Sequence, residues 1–98
     1  MLGQSLKYLS TQLNDKKISS VELTSEYLKR IRSLNVELNA SITIDEAQSL
    51  EQARIADQLI ATGNASPLTG IPIAQKDIFC TKGWLTTCGS KMLANFTA

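Results

Sequence analysis

Leu2, Leu6, Leu9 and Leu13 recur at spacings of four, three and four residues. That is one narrow stripe on a helix of 3.6 residues per turn, so the pattern predicts a first helix starting near residue 2. Polar Asn14, Asp15, Lys16 and Lys17 close it as a turn. Ser19 then stands three residues before Glu22, the spacing of a capping box: the serine oxygen accepts from the helix backbone and the glutamate reaches back. Behind this cap Leu23, Tyr27, Ile31 and Leu34 share one face with Leu28 beside them, predicting a second helix that ends near Asn35. Glu26 and Arg30, four apart, suit an exposed ion pair on the other face.

The pattern changes after Leu38. Residues 40–44 alternate loosely and are rich in β-branched side chains, which predicts a strand. Asp45, with Gln48 three residues on, is placed to cap a third helix, and Gly63-Asn64 stops that helix near Thr62. Its inner face, Ala47, Leu50, Ala53, Ala56 and Ile60, is short enough for close packing on a sheet. Residues 64–67 form a loop, and a second strand is expected over 68–76, punctuated by Gly70 and Pro72. Strand, helix and strand in that order imply a parallel pair with a right-handed crossover. Beyond Cys80, Thr81-Lys82-Gly83 reads as a turn and residues 84–87 as a short strand or ordered loop. Ser90 reads as the cap of a helix that begins with Met92, Leu93 and Phe96 apolar.

A chain of 98 residues is at most one small domain with a modest core. Ten basic against nine acidic residues leave no basic face for a nucleic acid. No apolar run is long enough to span a membrane, and the first residues lack a signal-peptide core, so a cytoplasmic protein is expected. Two cysteines, Cys80 and Cys88, are too few for a disulfide framework. With no histidine they complete no common zinc set, and they read as small apolar residues.

Charge is out of place at one point. Lys76-Asp77 lies between the apolar Ile71, Ile73, Ala74 and the apolar Ile78, Phe79, Cys80. Such a pair either turns out to solvent or lies inside with partners, because an unpaired buried ion costs several kcal/mol. The first alternative is a solvated turn. The second is a lysine held in a site where desolvation favours the neutral amine and frees a lone pair for base chemistry. Ser90 invites a nucleophile reading, but Cys88-Gly89-Ser90-Lys91 is not a Gly-x-Ser-x-Gly elbow, and a helix cap accounts for it.

The run Gly70-Ile71-Pro72-Ile73-Ala74-Gln75-Lys76-Asp77, with Thr81-Lys82-Gly83 and Thr86-Thr87-Cys88-Gly89-Ser90-Lys91 behind it, resembles the first signature of the amidase-signature family. Gln75 departs from the commoner apolar residue or histidine, and Ile78-Phe79-Cys80 from the commoner asparagine-containing version. The resemblance implies an α/β fold: N-terminal helices over about 2–35, strand–helix–strand over about 40–77, then a loop and the start of a helix to 98. These are the first strands of a mixed-sheet domain, incomplete in this chain. It also implies that Lys76 is the last member of a Ser–cis-Ser–Lys triad, with Asp77 fixing the turn rather than acting as an acid. The two serines are expected in a Gly/Ser-rich segment beyond Ala98, so the chain is expected to be an inactive N-terminal fragment.

Within the family the resemblance is strongest to glutaminase subunits of tRNA-dependent amidotransferases. For that branch it implies glutamine as substrate, the amidotransferase B and C subunits as partners in a heterotrimer, and Glu-tRNA(Gln) reached through a partner. No cofactor is expected in this chain, ATP and Mg being used by the whole complex, and no membrane is involved. Two other readings stand beside it. One is an amidase of the same family acting on another small amide. The other is a small helical interaction module, which solvent exposure of Lys76 would favour.

Overall fold

The computed structural model describes residues 3–98, so Leu2 of the first stripe lies outside the described residues. Among the described residues there are three α-helices, α1 (Leu6–Asn14), α2 (Ser20–Leu38) and α3 (Glu46–Ala61), followed by one 3-10 turn, Lys91–Leu93.

Each helix begins where a short polar side chain can accept from its first turn. Ser5 Oγ accepts from Tyr8 N at 3.1 Å, Ser19 Oγ from Glu22 N at 3.0 Å, and Asp45 Oδ1 from Gln48 N at 3.0 Å. The box at Ser19 is half made, since Glu22 stays exposed and no bond returns from it to the Ser19 amide. α2 runs one turn past its expected end at Asn35 and stops at Asn39, whose φ of 49° is the left-handed cap that asparagine tolerates. Glu26 and Arg30 form no ion pair. Arg32 instead reaches Glu46 across the α2–α3 junction at 3.1 Å, a largely solvated contact worth little.

Leu9, Leu13 and Leu23 form the core, with Ile18, Tyr27, Ile60 and Ile71 packed against it. The anticipated stripes therefore do the packing, α1 supplying two leucines and α2 one. On α3 only Ala53 is fully buried, and Ala47 faces solvent. The radius of gyration is 14.5 Å, against about 13 Å for a compact domain of this length, so the chain is loosely gathered around a small core.

The predicted strands do not form. Among the described residues the one β-bridge is isolated, antiparallel between Leu85 and Thr97, so the strand–helix–strand unit and its sheet are absent. At residues 40–44 the reason is local. The Asn35 carboxamide takes both backbone groups of Ser41, accepting from its N–H at 2.8 Å and donating to its C=O at 3.0 Å. At 71–76 the reason is the lack of a neighbour: the N–H groups of residues 73–76 meet no acceptor among the described residues, and Ile73 is 80% exposed. A strand is a pairing and cannot be specified by its own side chains alone. The expected helix after Ser90 is likewise reduced to its 3-10 turn.

One junction ties the elements together. The first three amides of α2 all find acceptors: Ser20 N and Val21 N donate to the two oxygens of Asp57 on α3, at 2.6 and 3.2 Å, and Glu22 N donates to Ser19. Ser20 Oγ, itself buried, donates to Gly70 O at 2.8 Å, and Ser10 Oγ of α1 donates to Pro67 O at 2.5 Å. Gly70 is required here twice over. Its φ is +90°, and a Cβ would lie 3.2 Å from the Ser20 Cβ.

Asp57→Ala in the complete protein is expected to lose about 1–2 kcal/mol of local stability, since two helix amides and a favourable charge at the helix N-terminus go together. Amide exchange at Ser20 and Val21 should accelerate and the thermal midpoint should fall. Unchanged exchange at those two amides would show that the carboxylate does not hold the helix start.

Candidate functional site

The segment from Gly70 to Asp77 leaves the Ser20 anchor and runs along an open groove of about 900 Å³. The groove is walled by Leu28 and Ile31 of α2, Ala53 and Ala56 of α3, residues 40–45, and Trp84. Lys76 lines it near the end of this run. Its side chain is exposed and makes no ion pair or hydrogen bond among the described residues. These residues therefore bring the lysine to the mouth of a groove without enclosing it. Of the two sequence alternatives, the chain by itself shows the solvated one.

Asp77 behaves differently. Its carboxylate accepts from Thr87 twice: Oδ1 from the backbone N–H at 2.8 Å, and Oδ2 from the Thr87 hydroxyl in a very close contact. Its own carbonyl accepts from Cys88 N at 2.8 Å, and Gly89 N donates to Thr87 Oγ1 at 3.2 Å. The hydroxyl and then the amide of Thr87 hold the Asp77 carboxyl below its ordinary value of 3.8, against the upward pull of burial. Hydrogen bonds with the charged form set that direction, so the carboxylate stays ionised near neutrality and acts as an acceptor, not an acid. Asp45 is held below the ordinary carboxylate range for the same reason, by the Gln48 amide first and its side chain second.

The 83–98 segment is gathered by its own bonds and tied back to α3. Gly83 N donates to Ala98 O at 2.6 Å, Ala98 N to Trp84 O at 3.1 Å, and Thr86 N to Phe96 O at 3.0 Å. Gln48 Nε2 donates to Gly83 O at 2.9 Å while also holding Asp45 Oδ2 at 3.0 Å. Ser90 Oγ accepts from Met92 N at 3.2 Å as the cap of the 3-10 turn, the role its position suggested. Cys80 and Cys88 are free and exposed thiols. Among the described residues no group of three or more histidine, cysteine, aspartate or glutamate side chains is placed to hold a metal ion, and no helix is long and apolar enough to cross a membrane.

Two residues that matter here were not singled out by sequence reasoning. Thr87 is ten residues from the aspartate it binds, and Asp57 is 37 from the amide it caps. Neither spacing matches a local motif. In the sequence Thr87 stood only as one residue of the run behind the signature, on a stretch read as strand or loop, with no role assigned to it.

A pH consequence follows from Asp77. Its folded value is depressed, so its contribution to stability is complete above the unfolded carboxylate value of about 3.9 and is lost as pH falls through the lower folded value. Direct titration of the Asp77 side-chain carboxyl carbon by NMR should give a midpoint below 3.8. A midpoint at or above that value would show that the Thr87 bonds do not form.

Residues 22–98 match the Amidase family. The chain is also similar over its whole length to proteins named as the A subunit of glutamyl-tRNA(Gln) amidotransferase. It is 67% identical over 98 residues to that of Nitrosomonas europaea and 65% over 98 residues to that of Methylobacillus flagellatus. Over 96 residues, 98% of the chain, it is 71% identical to that of Nitrosospira multiformis. In each case the chain spans only 20% of the relative's length. The family match takes in the whole groove-lining segment and the Lys76-Asp77 pair, and it is broad enough to decide membership: the chain belongs to the amidase family.

Proposed function

We propose that this chain is the N-terminal part of the glutaminase component of an amidotransferase that makes Gln-tRNA(Gln) from Glu-tRNA(Gln), and that Lys76 is its catalytic base. The observation that carries the reading is the juxtaposition at residues 73–76. An exposed lysine ends a segment of exposed apolar side chain and unpaired backbone N–H groups. Such an edge calls for a neighbour, and in the amidase family the rest of the domain is the natural source of one. On this reading residues 40–44 and 71–76 become strands of a mixed sheet in the complete protein, and the groove wall around Lys76 is closed by the same addition.

The chemistry requires that enclosure. A serine hydroxyl is a weak nucleophile until a base takes its proton. Away from water the neutral amine of a lysine can take it. Lys76 would accept the proton from a bridging serine, which in turn accepts it from the attacking serine. The attacking oxygen bonds to the amide carbon, the C–N bond breaks, and the proton leaves with ammonia. Water then releases glutamate from the acyl-enzyme. Both serines would be supplied from beyond Ala98, so the 98-residue chain alone would not hydrolyse an amide.

The ammonia would pass to a partner. Ten basic and nine acidic residues give no sign of a basic face for tRNA, and Glu-tRNA(Gln) would be held by the amidotransferase B subunit, with the C subunit completing a heterotrimer. No cofactor is assigned to this chain, and ATP and Mg would be used by the whole complex. The site of action would be the cytoplasm. Exposure of Lys76 also fits an interaction module with a surface turn, but that reading does not account for the family match or for the unpaired segment leading to the lysine.

The test uses the complete protein assembled with its partners. Lys76→Ala should abolish glutamine hydrolysis, and Lys76→Arg should do nearly the same, because a guanidinium stays protonated. High ammonia should restore amidation of Glu-tRNA(Gln) in both. Glutamine-dependent activity in Lys76→Arg would overturn the base role. Failure of ammonia to rescue a folded Lys76→Ala complex would overturn the division of labour. Ser90→Ala, by contrast, should cost no more than about 1 kcal/mol as a lost cap and leave turnover nearly intact. A loss of several orders of magnitude there would move the nucleophile to Ser90.

A further inference from the structure

Lys76 has an exposed side chain, no side-chain partner among the described residues and a preceding segment with no backbone pairing. A base must nevertheless be placed within hydrogen-bond reach of the proton it takes, and misplacement by about 1 Å can cost on the order of a hundredfold in rate. The fixed point next to it is Asp77. Both carboxylate oxygens and the carbonyl of that residue are engaged by Thr87 and Cys88, three bonds from one residue to two neighbours. Thr87 is only 8% exposed, so the receiving end is anchored in packed structure. Cys88 at φ 53° and Gly89 at φ 70° turn the backbone so that successive N–H groups face Asp77 and the Thr87 hydroxyl.

These bonds reach the lysine through covalent geometry. The peptide between residues 76 and 77 is planar, its carbonyl accepts from Phe79 N at 3.2 Å, and residue 77 is held at both its side chain and its C=O. The Lys76 Cα is therefore held from its C-terminal side. The same bonds have an electrostatic effect. An adjacent carboxylate free to face the amine would favour its charged form. Here both oxygens are turned onto Thr87, and no Lys76–Asp77 ion pair forms among the described residues.

The geometry points to Asp77 as a positioning residue for Lys76, acting with Thr87 as a staple that joins the signature segment to the 86–90 loop and keeps the carboxylate away from the base. This rests on the base role assigned to Lys76 above. Asp77 touches no reacting atom in this account. It sets where the lysine stands.

The experiment compares Asp77→Ala, Asp77→Asn, Thr87→Val and Thr87→Ser in the complete protein assembled with its partners. Glutamine kcat and KM, ammonia-dependent amidation and the thermal midpoint are read for each. Asp77→Ala should lower kcat by about a hundredfold, with KM within about threefold and ammonia-dependent amidation retained. Thr87→Val, which removes one of the two donors, should lower kcat by roughly tenfold, and Thr87→Ser, which keeps the hydroxyl, should restore it. If Asp77→Ala does not assemble, Asp77→Asn tests the same claim: it keeps one acceptor for the Thr87 amide and loses the second, so kcat should fall by roughly tenfold, as in Thr87→Val.

An unchanged kcat in the folded aspartate variants would overturn the proposal, as would a rise in KM alone or equal losses in Thr87→Val and Thr87→Ser. Loss of hydrolysis in Lys76→Ala beside full kcat in Asp77→Ala overturns the positioning claim alone. Hydrolysis retained in Lys76→Ala overturns the base role and the staple's purpose together.

Discussion

A helix that starts in a protein interior exposes amides that have no partner in their own helix, and each must be satisfied. At the start of α2 the solution lies on another element: Asp57 of α3 takes two of the three, while Ser20 turns its hydroxyl to the carbonyl of Gly70. Three elements meet through that one residue and its neighbour. Beyond Asp57, α2 and α3 share a solvated Arg32–Glu46 contact and the packing of Tyr27 and Ile60 on the leucine core. A side chain at position 70 would strain the backbone at φ +90° and press on the buried Ser20, so glycine eases the approach of the segment leading to Lys76. The direction in which the signature segment leaves the helices is thus set at its root, six residues before the lysine.

From there outward the structure becomes progressively less self-sufficient. Ile71 packs on the leucine core, while Ile73 is exposed and the amides from residue 73 to residue 76 are unpaired among the described residues. Order returns abruptly at Asp77, where Thr87 and Cys88 close around it. The lysine sits at the boundary between these regimes, beside a groove open to solvent. That arrangement suits a residue whose backbone is positioned by one part of a domain and whose side chain is enclosed by another. It also explains how an exposed lysine and a family match to amidases can belong to the same chain.

What could be read from the sequence follows from the range of each interaction. Ser5, Ser19 and Asp45 cap helices through bonds spanning three residues, so spacing alone located the starts of α2 and α3. Leu9, Leu13 and Leu23 were legible because a helix repeats its face every three or four positions. The strands were not legible in the same sense. β-branched residues at 40–44 state a preference, but Asn35 claims the Ser41 backbone first, and residues 71–76 have no strand to pair with among those described. Asp57 and Thr87 were missed because their bonds cross 37 and 10 residues, and only a fold can bring them to their partners. At the site, the Lys76-Asp77 pair stood out in the sequence and a solvated turn was one of the two arrangements it allowed, whereas the clamp that Thr87 makes on Asp77 was not legible.

The central claim is that the groove beside Lys76 is completed by the remainder of the domain and that the lysine then serves as a base. A crystal structure of the complete protein tests it most directly. Residues 71–76 should be paired as a strand, Lys76 enclosed, and its Nζ within about 2.6–3.2 Å of a serine hydroxyl from a segment beyond Ala98. A complete protein in which Lys76 still faces solvent, with no serine within reach of it, would contradict the account.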